Sequence, residues 1–184
     1  LVRLGYHSRA HALLEELAKA GASEDQVRRR RITIALAVGE LERAVELARE
    51  AVASDRADPA VWRQLATALA RQGDLAAARD ALDEFLARTS QRDGGGFATA
   101  VDILRTAEDH AGAVALVDSA RTILGDRAFL ARPRALSLLA LERPEEAARE
   151  AAADLRTSPF NLQLLRRDLL AEDAPPLPPA FGDA

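Results

Sequence analysis

Cysteine, aromatic side chains and long apolar runs are absent or scarce in this chain of 184 residues. There is no cysteine, which excludes disulfide bonds and thiolate zinc sites. No apolar run approaches the roughly 20 residues that a membrane-spanning helix needs, and no signal-peptide pattern is present. The sequence therefore predicts no membrane span, and it leaves the compartment undetermined.

The charge balance gives no indication of nucleic acid as a partner. The chain carries 29 acidic and 25 basic residues, a formal net charge of −4, whereas nucleic-acid binding domains are usually strongly basic. Every basic residue is arginine except Lys19. Aromatic residues make up only 4% of the chain, while alanine and leucine dominate. Such a composition favours helices that pack closely through small side chains.

Residues 58–86 predict two short helices joined by a tight turn. Asp58 is suited to cap the first helix, and Pro59 to its first position, where no amide is needed. Gly73 ends that helix, because a left-handed residue is least costly without a Cβ. Apolar residues follow helical spacing on one face of each helix. They are Val61, Trp62, Leu65 and Leu69 in the first helix, and Leu75, Ala78, Leu82, Phe85 and Leu86 in the second.

The pattern recurs along the chain. Gly5, Gly39 and Gly73 are spaced at 34 residues, as are Ala10, Ala44 and Ala78, and the alanines continue at Ala113 and Ala148, each 35 further on. A period in this range is typical of a helix-turn-helix solenoid, in which neighbouring hairpins share their apolar faces. We therefore expect neighbours to bury both stripes of the central hairpin, with Trp62 wedged between its two helices.

The order of large and small residues resembles the tetratricopeptide repeat. The residues that carry the resemblance are Trp62, Leu65, Leu69, Gly73, Ala78 and Leu82. A fourth copy matches at Phe97, Leu104, Ala113 and Val117, with Glu108 in place of the turn glycine. The fifth copy is weakest, with Arg132 at the Trp position and Arg143-Pro144 at the turn. The resemblance covers about residues 4–158 and implies a right-handed α-solenoid of four to five hairpins.

The shared residues are packing residues, so the resemblance predicts the fold and not the ligand. We expect one solenoid domain over residues 1–173. Its first hairpin is incomplete, since residues 6–19 predict a second helix without its partner. Because solenoids protect their ends with capping elements, we expect further repeats upstream in a longer chain. The apolar stripe of Leu13, Leu14 and Leu17 would then favour self-association.

Several local signals predict element boundaries. Ser23 and Gln26 fit a capping box at the start of a helix that ends near Val38. Residues 89–96 are polar and glycine-rich, which predicts a loose loop before a helix that starts at Phe97. Ser158-Pro159 predicts the start of a last helix that ends near Leu170. Residues 174–184 contain four prolines and predict an extended tail or linker.

The sequence contains three weak signals for chemistry. His7 and His11 lie one helical turn apart, a spacing that suits two metal ligands, but no third ligand is evident. The glycines at 94–96 lack the Lys and the preceding strand of a phosphate loop. Asp109 and His110 form half of an acid-base pair without a nucleophile, and they also suit a helix start. We therefore predict no catalytic site, no metal and no cofactor.

The tetratricopeptide resemblance implies that the first helix of each hairpin lines a concave groove. The repeat phase places a mostly basic set of residues on that side. The candidate partner-binding residues are Arg29, Arg30, Thr33, Arg63, Gln64, Thr67, Arg71, Asp102, Arg105 and Arg134. The second helices carry acidic residues instead: Glu40, Glu42, Glu46, Glu50, Asp80, Asp83, Glu84, Glu145, Glu146 and Glu150. Arginine suits carboxylate recognition, while ion pairs between the two sets are the structural alternative.

These features predict a protein-interaction module that binds a peptide or helix of a partner protein in an arginine-lined groove, with an acidic peptide as the candidate partner. The carboxylate clamp of the family's chaperone-binding members is not matched, because Thr33 and Thr67 stand where Asn is expected. Three alternatives remain open. One is a bacterial secretion-type chaperone or assembly scaffold. Another is an interaction or regulatory domain of a larger enzyme, for example a glycosyltransferase, or of a polysaccharide- or protein-secretion component. The last is self-assembly through the terminal repeats.

Overall fold

The part of the chain that the structure describes is entirely helical. The structure, a computed structural model, describes residues 12, 14, 16, 19–53, 58–90, 93–125 and 128–157. Eight helices follow one another from residue 24 to residue 157. They are α1 (Glu24–Val38), α2 (Leu41–Val52), α3 (Pro59–Gln72), α4 (Leu75–Arg88), α5 (Gly94–Thr106), α6 (His110–Leu124), α7 (Ala128–Ala140) and α8 (Pro144–Thr157). The predicted all-helical class is confirmed for these residues.

Side-chain caps start α1 and α3 as the sequence predicted. The Ser23 hydroxyl accepts from the Gln26 amide at 3.3 Å, and the Gln26 side chain accepts from the Ser23 amide at 3.1 Å, which completes the capping box. Asp58 caps α3 through the Val61 amide at 3.3 Å. Each cap satisfies a first-turn N–H group that has no partner within the helix.

All four hairpins turn through a residue in the left-handed region. Gly39 and Gly73 adopt φ values of 83° and 89°. Glu108 and Glu142 take the same role at φ values of 59° and 58°. A residue with a Cβ is uncommon in this region, so the turn geometry persists where the glycine does not. The last turn lies one residue before the predicted Arg143-Pro144.

The helices pack in two layers. The first helices of the four hairpins (α1, α3, α5 and α7) contact one another in sequence order. The second helices (α2, α4, α6 and α8) each pack on the first helix of their own hairpin, and all but α8 also contact the first helix of the next. Among the described residues, the second helices make no contacts of similar extent with one another. The arrangement is a helical repeat in which each hairpin depends on its neighbour for burial.

The core follows this layering. Its main cluster runs from Ile32 in α1 to Leu130 in α7, and a smaller one joins Val114 to the last hairpin through Ala135, Leu138 and Ala147. Trp62 packs against the main cluster but remains only half-buried. The ring is therefore less enclosed than expected for a side chain wedged between two helices.

The predicted register of the last hairpin is wrong by one residue. Ala147 is 1% exposed, whereas Ala148, the predicted core alanine, is exposed. In α7 the buried residues Ala131, Ala135 and Leu138 repeat the buried Phe97, Val101 and Leu104 of α5 with a spacing of 34. Ala131 therefore takes the place predicted for Arg132. Both candidates in α8 are alanine, so size alone could not distinguish them.

The predicted loop at residues 89–96 is shorter than expected. Helix α5 begins at Gly94, and Asp93 caps it by accepting from the Gly95 amide at 3.0 Å. A Cβ on Gly94 would lie 2.6 Å from Cζ of Phe129, too close for any side chain without movement of that ring. The glycine allows the start of α5 to approach α7, which explains it better than either a linker or a phosphate loop.

Some predictions concern residues outside the described part of the chain. They are the His7–His11 pair, the last helix at 158–170 and the tail at 174–184. Of the apolar stripe at 13–17, only Leu14 is described, and it is buried. The domain boundary, the incomplete first hairpin and self-association through it remain predictions.

Enlarging the two neighbouring alanines of α8 tests the corrected register. We expect Ala147→Leu to lower the free energy of unfolding by about 1–3 kcal/mol, because a larger side chain overpacks the small cluster. Ala148→Leu should change it by less than about 0.5 kcal/mol, because that residue faces solvent. Urea denaturation measures both. A greater loss for Ala148→Leu would contradict the register.

Candidate functional site

A basic cavity lies between the N-terminal halves of α1 and α3. Its volume is about 370 Å³. It is lined by Ala22, Gln26, Val27, Arg29, Arg30, Thr33, Ala60, Arg63 and Gln64. The lining residues recur at three- and four-residue spacings, from Gln26 to Thr33 in α1 and from Ala60 to Gln64 in α3, which brings them to the facing sides. We call this site the arginine cavity. Five of the ten predicted groove residues line it.

Gln64 is the most buried polar side chain of the cavity, at 8% exposed. Its Nε2 donates to Oγ1 of Thr33 at 2.7 Å and to the Arg29 carbonyl oxygen at 3.2 Å. The orientation of the amide follows from these contacts, because a carbonyl oxygen can only accept. Oε1 is buried and has no hydrogen-bond partner among the described residues. An unmatched buried acceptor is costly, and its burial also keeps this oxygen from direct contact with a ligand in the open part of the cavity.

Arg30 and Arg63 present free cationic groups at this cavity. Both side chains are exposed, and neither has an ion-pair or hydrogen-bond partner within the described ranges. Their guanidinium groups can each donate two parallel hydrogen bonds to a carboxylate or phosphate. The arrangement combines two unpaired cations with one unpaired neutral acceptor.

Three other predicted groove arginines have partners within the protein. Arg29 forms an ion pair with Asp58, the residue that caps α3. Arg71 donates to the Leu36 carbonyl oxygen of α1 at 2.7 Å. Arg105 pairs with Asp102 one turn away at 3.4 Å. These three arginines match the structural alternative, in which arginines form pairs within and between hairpins.

Arg134 does not lie with the other groove residues, and its predicted place is wrong. Its guanidinium contacts Asp118 of α6 at 2.9 Å and Glu150 of α8 at 2.8 Å, so it points toward the second helices. The one-residue register error explains the misplacement. With a spacing of 34, Arg134 corresponds to the buried Ala100 and not to the groove position.

Glu150 likewise differs from its predicted place on an acidic outer surface. It is 7% exposed and accepts from both Arg134 and Arg121, the latter at 3.1 Å through Nη1. This cluster joins α6, α7 and α8. A buried carboxylate shared by two guanidinium groups is stabilised only while both partners remain.

The remaining candidates have local contacts. The Thr33 hydroxyl donates to the Arg29 carbonyl oxygen at 2.9 Å, and the Thr67 hydroxyl to that of Arg63 at 2.8 Å. Both hydroxyls thus bond to the preceding helical turn. Thr33 also accepts from Gln64, so it orients that amide within the arginine cavity.

Asp109 serves as a helix start, as the sequence suggested. It caps α6 through the Gly112 amide at 2.9 Å. Its carboxylate also accepts from Nε of Arg79 in α4 at 2.7 Å. Both contacts are structural, and they link the second helices of adjacent hairpins.

The described residues contain no group of three or more His, Cys, Asp or Glu side chains placed to hold a metal ion. No helix among them is both long and apolar enough to cross a bilayer. No protein-family model matches the sequence, and no curated protein is similar to it.

Removing the Glu150 carboxylate tests whether the Arg134 cluster is structural. We expect Glu150→Ala to lower the free energy of unfolding by about 3–5 kcal/mol, because it leaves two largely buried guanidinium groups without their shared acceptor. Glu50→Ala, at an exposed position of α2, is the control and should cost less than about 0.5 kcal/mol. Thermal or urea denaturation measures both. Equal losses in the free energy of unfolding for the two variants would mean that the Glu150 cluster does not stabilise the fold.

Proposed function

We propose that this chain is a protein-interaction module of the tetratricopeptide kind, a right-handed α-solenoid that binds an extended acidic peptide of a partner protein. The first helices would form the concave binding surface, with the arginine cavity as its main contact. The observation that carries the proposal is the pair of guanidinium groups of Arg30 and Arg63, which have no partner among the described residues and line the same cavity.

An acidic peptide matches this pair of cations. Its side-chain or terminal carboxylates supply acceptors for the two guanidinium groups. Arg30 and Arg63 lie on two different helices, α1 and α3. A peptide that carries several carboxylates can engage both of them at once, which a single small anion does less well.

The size of the cavity fits a short contact within a longer interface. Its volume of about 370 Å³ lies at the lower end of the roughly 300–1,000 Å³ that ligand sites occupy. Such a cavity holds one or two side chains of a peptide that continues along the first helices. The proposal assigns recognition to this chain and no chemical reaction.

Charge reversal at Arg63 tests the site. We expect Arg63→Glu to weaken binding of an acidic peptide about tenfold at low salt, since an attraction becomes a repulsion. Arg49→Glu, an exposed arginine of α2 outside the arginine cavity, is the matched control and should change the affinity less than about twofold. Fluorescence anisotropy with labelled acidic and basic peptides, at two salt concentrations, measures this. Affinity should fall as salt rises.

Asp58→Asn gives a change of opposite sign. Asn caps a helix as well as Asp does, so α3 should remain intact. The substitution removes the carboxylate that holds Arg29 and makes the cavity more positive. We expect the acidic peptide to bind about two- to fivefold tighter.

Equal effects of the Arg63 and Arg49 variants, or a preference for the basic peptide at this site, would refute the proposal.

A further inference from the structure

A second and larger cavity lies on the other side of α3, between α2 and α4. Its volume is about 640 Å³. It is lined by Arg49, Trp62, Leu65, Leu69, Ala77, Asp80, Ala81, Asp83, Glu84 and Ala87. We call it the outer cleft. It shares no lining residue with the arginine cavity.

The floor of the outer cleft is apolar. Trp62, Leu65 and Leu69 of α3 form it, and the alanines of α4 continue it. Leu65 and Leu69 are buried, while the indole ring of Trp62 remains half-buried. Trp62 is the only tryptophan in the chain. An indole is the side chain that binds cations best through its face, and it also packs against apolar groups.

One wall of the cleft carries three carboxylates. Asp80, Asp83 and Glu84 fall three and four residues apart, so they share one side of α4. Glu84 pairs with Arg88. Asp80 and Asp83 are exposed and have no counter-ion within the described ranges. Arg49 stands on the opposite wall and forms no ion pair across the cleft with the described carboxylates.

The contacts of Arg88 show which chemical group this surface accommodates. Its guanidinium carbon lies 4.8 Å from the centre of the Trp62 ring. Its Nη1 donates to the Glu84 carbonyl oxygen at 3.0 Å and to the Glu84 carboxylate. A planar cation is thus held between an aromatic ring and a carboxylate. Asp80 and Asp83 offer the same acceptor chemistry further along the same wall, without a cation to fill it.

We propose that the outer cleft is a second docking site, which binds a basic segment of a partner protein. The segment would present arginine or lysine next to apolar side chains. The cations would pair with Asp80 and Asp83, and the apolar side chains would pack against the half-buried ring of Trp62. The charge preference is opposite to that of the arginine cavity, so the same hairpin offers an acidic site on one side and a basic site on the other. The inference does not depend on the proposed function.

The lone tryptophan makes occupancy of this cleft directly observable. The probe is the peptide acetyl-Leu-Arg-Leu-Arg-Leu-amide, and its Glu-for-Arg counterpart is the control. Titration of the intact chain at low salt should change Trp62 fluorescence in a saturable way with the basic peptide only. The double variant D80N/D83N should weaken this binding about tenfold, since two exposed ion pairs are lost. E42Q/E50Q removes two exposed carboxylates of α2 outside the cleft and should weaken it less than about twofold.

Further variants separate this site from the arginine cavity. Arg49→Glu should strengthen binding of the basic peptide, because it removes the only cation among the described residues that line the cleft. Arg63→Glu should leave it within about twofold. The proposal is overturned if the basic peptide gives no saturable signal, if both double variants weaken it equally, or if the acidic peptide gives the same signal. It is also overturned if sedimentation shows self-association that D80N/D83N abolishes, because a second copy of the chain would then occupy the cleft.

Discussion

Small side chains in the second helices allow the hairpins to pack closely. Ala44, Ala78, Ala113 and Ala147 recur once in each hairpin and are 0–1% exposed. A methyl group fits where two helices approach closely, and a larger side chain there would overpack the core. Both cavities are gaps between helices that this core holds together.

Ion pairs between hairpins add orientation to this packing. Arg29 reaches Asp58, Arg79 reaches Asp109, and Arg121 reaches Glu150, over sequence separations of 29, 30 and 29 residues. Each pair joins helices of the same layer in adjacent hairpins. An acidic chain with almost no lysine thus uses many of its arginines as structural links. Of the three arginines that line the arginine cavity, Arg30 and Arg63 have no such link among the described residues and are available for a ligand.

Helix caps, which depend on neighbouring residues, could be predicted from the sequence, whereas the side-chain contacts of distant residues could not. The capping box at Ser23 and the Asp58 cap depend on residues within one helical turn, so their patterns were sufficient. The register of α8 could not be predicted from its pattern. Ala147 and Ala148 are the same residue type, and only the surface that packs against α8 distinguishes them. The buried position of Gln64 and its hydrogen bonds to α1 could not be predicted either. Its partners lie 31 and 35 residues earlier, and no local pattern marks a glutamine as buried.

The most direct test of the division between structural and free arginines is ¹⁵N NMR of the guanidinium groups during titration with an acidic peptide. In the free protein, slow rotation of the guanidinium groups should mark Arg29, Arg79 and Arg134, which are paired. Addition of the peptide should slow the rotation at Arg30 and Arg63 and leave Arg49 unchanged. Slow rotation at Arg30 and Arg63 before the peptide is added, or peptide-induced changes centred on Arg49, would contradict the account.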